Sequence, residues 1–418
     1  MCGRGEGHDV TISSLVMHLD SLLKLLPAGW EPDRILVLDN SAPLWLDGLA
    51  TTDIPTAFYS VDTHHHARLH AHLCDLFDLV YIAQRDYLPA FTERGHAPKW
   101  LPLYASRFVE SSPERRWQAT FVGTMNQRLN PARVGFFEAL QQRVPVHVTE
   151  GRWWEIFPLS ELVVNQTVKG DLNFRVFEAM MCGTLLLTER SGNGLLELFR
   201  EGEHLVTYEK GNVEDAARCI TALLADLPRC RRIAAAGREE ILARHLPRHR
   251  AATILEDLGP LQKRPAPRRR FSAAANFTTL GSQVYRVFDG PTSRPAFVVA
   301  LRSADEALRA GEAITDDYAF HTVSAILRYD EVIGSGAGHA LLLKLLEAFP
   351  SIPIFAFAAI RSLLNRGQRS DAAAIGRRAF GGDSAQIFEK AEEVITTLLS
   401  EMGTAGSTPA EQQQATTP

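Results

Sequence analysis

The chain has 418 residues, 45% of them hydrophobic and 22% charged, a composition that suits folded domains and supplies enough material for two or three. A net charge of −5 gives no general attraction to nucleic acid, and five scattered cysteines without a CxxC spacing mark neither a disulfide framework nor a zinc site. No uncharged apolar run reaches the roughly 18 residues of a membrane span, and MCGRGEGHDV lacks a signal-peptide pattern, so the expectation is a cytoplasmic protein with reduced thiols.

In chain order, strand-like runs alternate with helical ones as far as residue 258. ILVLD (35–39), TAFYSVD (56–62), LVYIA (79–83) and KWLPLY (99–104) form a first series. ATFVG (119–123), VPVHVT (144–149), LVVNQ (162–166), TLLLT (184–188) and HLVTY (204–208) form a second. Helix-like segments such as 67–76, 131–142 and 213–224 separate them. The alternation predicts an α/β fold with two doubly wound domains of parallel strands, residues 1–112 and 113–258, facing a cleft that is the default ligand site. GPLQKRPAPRRRFS reads as a basic, proline-rich linker over 259–271. Residues 272–402 read as helical, and 339–380 resembles one tetratricopeptide-type unit that must stack on neighbours to bury its apolar face. The polar tail 403–418 reads as disordered.

Two stretches carry chemistry. In FVGTMNQRLNPARVGF (121–136) a strand gives way to a loop at Gly123 and Thr124, with a helix beginning near Pro131. A glycine there admits close approach of a diphosphate, and Arg128 and Arg133 are suited to bidentate phosphate contacts. In GDLNFRVFEAMMCGTLLLTER (170–190), Asp171 and Asn173 are helix-entry residues, Phe174, Phe177 and Met181 mark one apolar face, and Gly183 stops the helix before a buried strand. Arg175 and Glu178, three apart, share a face; they form either an ordinary surface ion pair or part of a site.

NQTVKGDLNFRVFEAMMCGTLLLT resembles the nucleotide-binding half of GT-B glycosyltransferases of the family 4 type, most closely the spore-maturation CgeB-like branch with its N-x-R-V-F-E-A-x-x-C-G signature. The resemblance runs back through FYSVDTH, AQRDYLPAF, KWLPLY and FVGTMN and forward through SGNGLLELFREGEHLVTY, covering roughly 35–250 of the sequence. It implies a GT-B fold and places Glu178 on the donor's ribose hydroxyls, which a carboxylate accepts well. Arg175, and with it Lys169, would neutralise the diphosphate. Asn173 belongs to the same signature. Gly192, Asn193 and Gly194 are either phosphate-holding backbone or a plain turn, and Asn165 either bonds substrate or caps its loop.

One departure stands out. The family usually carries two glutamates spaced E-x7-E, and Gly170 stands where the first belongs; the neighbouring Asp171 either replaces it or starts the helix. On the acceptor side, SVDTHHHARLH (60–70) either places Asp62 or His64 at the cleft, where a hydrogen-bonding group would orient an acceptor hydroxyl, or forms a plain turn and helix start. A metal there would need convergent ligands, whereas consecutive histidines on a turn diverge. GRWWEIF (151–157) offers Trp153 and Trp154 for core packing or for stacking on the base. With Asp62, His64 and Asp171 as catalytic candidates, the expected activity is glycosyl transfer from a nucleoside-diphosphate sugar to a hydroxyl of a glycan, protein or small molecule, without metal or other cofactor and with retention by family analogy. The expected partners are those substrates, with a protein partner or self-association through the C-terminal helices. A sugar-nucleotide-binding scaffold and a nucleotide-sugar epimerase are the alternatives.

Overall fold

The computed structural model describes residues 16–404; the N-terminal decapeptide noted above and the tail from residue 405 lie outside them, while residues 403 and 404 end a helix. Among the described residues eleven strands occur: β1 (Met17–His18), β2 (Ile35–Leu38), β3 (Leu46–Asp47), β4 (Thr56–Ser60), β5 (Leu79–Ile82), β6 (Lys99–Trp100), β7 (Trp117–Val122), β8 (His147–Thr149), β9 (Ser160–Asn165), β10 (Leu185–Glu189) and β11 (Val206–Tyr208). The first series makes a four-stranded sheet of order β2-β4-β5-β6, and the second a five-stranded sheet of order β11-β10-β9-β7-β8; β1 and β3 pair separately. The fold class is α/β, with parallel sheets and a helical C-terminal third.

The chain divides into two compact units. One holds the described residues up to Ala57, Arg68–Leu79 and the described residues from Gln262 on; the other holds Phe58–Ala67 and Val80–Leu261. This differs from the linear division read in the sequence, because early and late segments fold into the same body.

In the second unit every pairing of the five-stranded sheet is parallel, with Leu185 opposite Leu162, Leu187 opposite Val164 and Thr120 opposite Val163. Leu162, Val164, Leu185 and Leu187 are fully buried against Phe121, Phe137, Ile220 and Ile233, so the apolar runs are covered as a parallel sheet requires. The strand order reverses at β7: β8 lies on one side and β9 on the other. Such a switch point leaves a crevice at the carboxyl ends of the two strands, where Val122 and Asn165 end β7 and β9.

In the first unit, seven helices run from Arg269 to Thr404. Phe271, Ala274 and Ala275 pack with Tyr318, Leu342, Phe355 and Ile395 in a continuous core. The basic proline-rich stretch is not a free tether. Buried Asp78 accepts from the Arg264 N–H and the Arg269 guanidinium, each at 2.8 Å, and Lys263 lies 3.5 Å away. Arg269 already begins a helix (Arg269–Val287), inside the span read as linker. Burial alone would raise the Asp78 carboxyl, but the Arg269 guanidinium and the N–H groups of Arg264 and Thr56 outweigh it and hold it below its ordinary value. Asn276 likewise exchanges two hydrogen bonds with the Leu44 backbone.

Candidate active site

Arg175 is the first helical residue after Phe174 in Phe174–Met181, the helix that follows β9. Its Nε donates to the Val122 carbonyl at 3.0 Å and its Nη1 to Asn165 Oδ1 at 2.7 Å, so one guanidinium ties together the ends of the two strands that flank the switch point. It lies 4.5 Å above the Phe121 ring. Arg133, buried on the helix Pro131–Gln141, approaches the same ring at 5.5 Å and donates to Gln166 Oε1 at 3.0 Å. Burial and the neighbouring Arg133 together push Arg175 down to about 10, and burial lowers Arg133 too. Two cations held side by side against an aromatic face in the crevice form an anion-seeking arrangement.

Arg175 and Glu178 form no ordinary surface ion pair: each is hydrogen-bonded elsewhere while lying in the other's field. Glu178, 8% exposed, accepts a 2.5 Å hydrogen bond from the Ser106 hydroxyl. Burial raises its carboxyl above the ordinary 4.5, while Ser106 and Arg175 act the other way. Neither expected helix-entry residue caps the helix with its side chain: Asp171 Oδ1 accepts from the Val168 N–H at 2.5 Å, and Asn173 makes no cap bond. The Asn173 Oδ1 is buried without a hydrogen-bond partner. Burial also raises the Asp171 carboxyl, against the pull of the Val168 N–H, Arg175 and Arg133.

Gly123 serves a different end from the one expected. Its N–H donates to the Thr149 carbonyl at 3.1 Å and is thus committed to the sheet. A Cβ at this position would sit 2.4 Å from the Arg175 guanidinium and 2.8 Å from the Phe121 ring, so glycine is what lets Arg175 cross the strand end. Thr124 and Arg128 are exposed; the Thr124 carbonyl faces Arg133 at 3.5 Å, and the Arg128 N–H is held by Asn126. Asn165 is fully engaged, accepting from Arg175 and donating to Thr188 Oγ1 at 2.9 Å, which favours the structural reading of that residue.

The Gly192–Gly194 loop is also stitched into the protein. The Asn193 N–H donates to Asp86 Oδ2 at 2.8 Å, its Oδ1 accepts from the Asp86 N–H at 3.0 Å, and its Nδ2 donates to the Gly170 carbonyl at 2.8 Å. A Cβ at Gly192 would lie 2.0 Å from the Asp86 carboxylate, and one at Gly194 2.3 Å from the Trp100 ring. The Asn193 N–H is therefore unavailable to a phosphate. Lys169 is exposed at a φ of 58°, followed by Gly170 at 80°, two successive left-handed residues of which the lysine is the strained one.

The histidine run lies on a helix, Thr63–Leu73, that starts earlier than expected. His64 is buried with its ring 4.1 Å from His65, and Asp62 is half-buried just before the helix. Desolvation, and then the charges of His64 and Lys169, hold His65 down at about 4. Among the described residues no group of three His, Cys, Asp or Glu side chains gathers at metal-binding geometry. Trp153 and Trp154 are half-buried, and the Arg107 guanidinium covers the Trp154 ring at 4.2 Å. Sequence reasoning missed Ser106, Gln84, Asp86 and Gln166. Gln84 exchanges two hydrogen bonds with the Leu172 backbone, at 2.8 and 3.3 Å. The signal that could have found three of these residues is the family-like stretches themselves: AQRDYLPAF holds Gln84 and Asp86, and NQTVKGDLNF holds Gln166.

A family model described as glycosyl transferase-like matches residues 105–256, the segment that contains Ser106, both arginines and Glu178. No curated protein matches the sequence. Among solved structures the chain is similar to Anabaena Alr3699/HepE in complex with UDP and glucose, at 15% identity over 50% of this chain and 72% of that one, with a TM-score of 0.42. It is similar to sucrose-phosphate synthase from Thermosynechococcus elongatus at 14% identity, over 49% and 67% of the two chains, TM-score 0.39. A glycosyltransferase from Rickettsia africae is similar at 10% identity, over 54% and 76%, TM-score 0.39. No helix among the described residues is long and apolar enough to cross a membrane.

Proposed function

We propose that the protein is a glycosyltransferase of GT-B type, of the CgeB-like branch, that moves a sugar from a nucleoside-diphosphate donor to a hydroxyl acceptor. The observation that carries this reading is the Arg133–Arg175 pair against Phe121 at the switch point. An anionic diphosphate relieves the repulsion between the two guanidiniums, and their fixed charge stabilises the leaving group as the glycosidic bond breaks. Glu178, one helical turn from Arg175, takes the ribose hydroxyls. The buried, unpartnered Asn173 Oδ1 gives a further acceptor for the nucleotide. With charge neutralised by arginine and Lys169, the reaction proceeds without metal, and retention of configuration follows the family resemblance. Asp62 and His64 orient the acceptor hydroxyl. The helices from Arg269 on are the tetratricopeptide-like part, selecting a protein or glycan acceptor or a second copy, and the protein works in the cytoplasm.

Titration calorimetry with UDP, GDP and dTDP on the wild type and on Glu178→Ala tests the reading. One nucleotide binds the wild type, and Glu178→Ala weakens it at least about tenfold, as expected for loss of charge-assisted hydrogen bonds of about 1.5–3 kcal/mol each. If none of the three nucleotides binds, the proposal falls.

A further inference from the structure

We infer that Asp86 is a sugar-recognition residue, accepting hydroxyl hydrogens of a neutral hexose on the donor; this rests on the nucleotide-sugar reading above. Three carboxylates are bonded to the loops that bound the crevice on this side, 167–171 and 192–194. Glu189 is fully buried and spends both oxygens on Thr167 and the Gly211 N–H. Asp171 is buried and turned onto the Val168 N–H. Asp86 is different. It is exposed, its Oδ2 takes the Asn193 N–H, and its Oδ1 makes no hydrogen bond among the described residues.

The surroundings fix where that free oxygen can act. The reciprocal bonds with Asn193, whose amide also reaches the Gly170 carbonyl, hold the carboxylate beside the left-handed Lys169–Gly170 turn. Gly192 leaves no Cβ to displace it. Tyr87 lies within the fields of both Asp86 and Asp171, and its hydroxyl is raised by burial and by these two acids. A fixed carboxylate with one uncommitted oxygen accepts one or two hydroxyl hydrogens with charge assistance. Its own negative charge disfavours an anionic sugar, so the class it selects is the neutral hexose.

The test uses the full chain and ends on a comparison of four affinities. UDP, GDP and dTDP, each alone and as its glucose conjugate, are titrated into the wild type, and the best-binding nucleotide and its conjugate are then titrated into Asp86→Asn. The asparagine keeps an oxygen for the Asn193 N–H but loses the charge. The expected result is tighter binding of the conjugate than of the free nucleotide by the wild type. In Asp86→Asn this advantage shrinks about tenfold while free-nucleotide affinity stays within twofold. An unchanged advantage, or no advantage in the wild type, overturns the inference. So does an equal loss for both ligands, which would make Asp86 a brace for the Asn193 loop; Asn193→Ala, which removes the amide that braces the loop, is the reference for that pattern. Failure of every nucleotide to bind the wild type is the separate outcome that removes the donor-site reading itself.

Discussion

Glu178 shows how far one residue's environment sets its behaviour. Burial raises its carboxyl above 4.5, and the Ser106 hydroxyl is the strongest influence opposing that rise. On the proposed role the ionised form accepts the ribose hydroxyls, so nucleotide affinity is expected to be full above the raised pKa and to fall as the pH drops through it. The group's effect on folding has the opposite sign: the native state binds this proton more tightly than the unfolded chain, so its contribution to stability is greater at low pH and declines as the pH rises through the folded pKa. Ser106→Ala should move the acid limb of nucleotide binding to higher pH, checked by titrations across pH; an unmoved limb would assign that limb to another group. The sequence made the Arg175–Glu178 spacing legible, along with the crowding of apolar residues around it. It did not reveal their partners, because the Val122 carbonyl lies 53 residues from Arg175 and Ser106 lies 72 from Glu178. Contacts at that separation depend on which strands become neighbours, and strand order leaves no local pattern.

At the scale of elements, the strands were legible from their apolar, β-branched runs, and nine of them appear close to where the pattern put them. Ends were harder to read. KWLPLY yields only Lys99–Trp100, since Pro102 carries no N–H for a ladder. The histidine helix begins at Thr63, four residues before the apolar periodicity suggested, where polar histidines hide the helical face. Close packing adds a constraint that propensity misses. Gly237 lies within the helix Leu227–Arg244, where alanine would ordinarily gain about 1 kcal/mol. A Cβ there would stand 2.5 Å from the His204 carbonyl and 3.2 Å from the Met180 sulfur. Gly237→Ala should therefore destabilise the protein, by about 1–3 kcal/mol in chemical denaturation. A gain in stability would show that the helix shifts freely on its neighbours.

At the scale of the whole molecule, the linear reading missed that the first unit is discontinuous. The cations at Lys263, Arg264 and Arg269 looked like a solvated tether because a run of basic residues among prolines usually is one. Their partner, Asp78, sits in LFDLV, 186 residues before Arg264, and a contact at that separation leaves no local pattern. Asp78→Ala leaves Arg269, 5% exposed, without its counter-charge, and should cost about 3–5 kcal/mol. Hydrogen exchange should show lost protection across Arg269–Val287; unchanged protection there would contradict the assignment. Because the Asp78 carboxyl is depressed in the folded state, its contribution is present above the ordinary aspartate range and is lost as the pH falls through the folded pKa.

The same arrangement bears on how the chain is made. Asp78 leaves the ribosome long before residues 263–269, so its carboxylate waits for 186 residues to be added before Arg264 is made. The glycosyl transferase-like segment, 105–256, is complete before then and can fold while the rest is still being translated. The first unit cannot close until the last third of the chain has emerged. A chain cut after residue 261 would retain Arg133, Arg175 and Glu178 yet leave Asp78 without Arg264 and Arg269, and it should be held by chaperones or degraded rather than accumulate as a smaller enzyme.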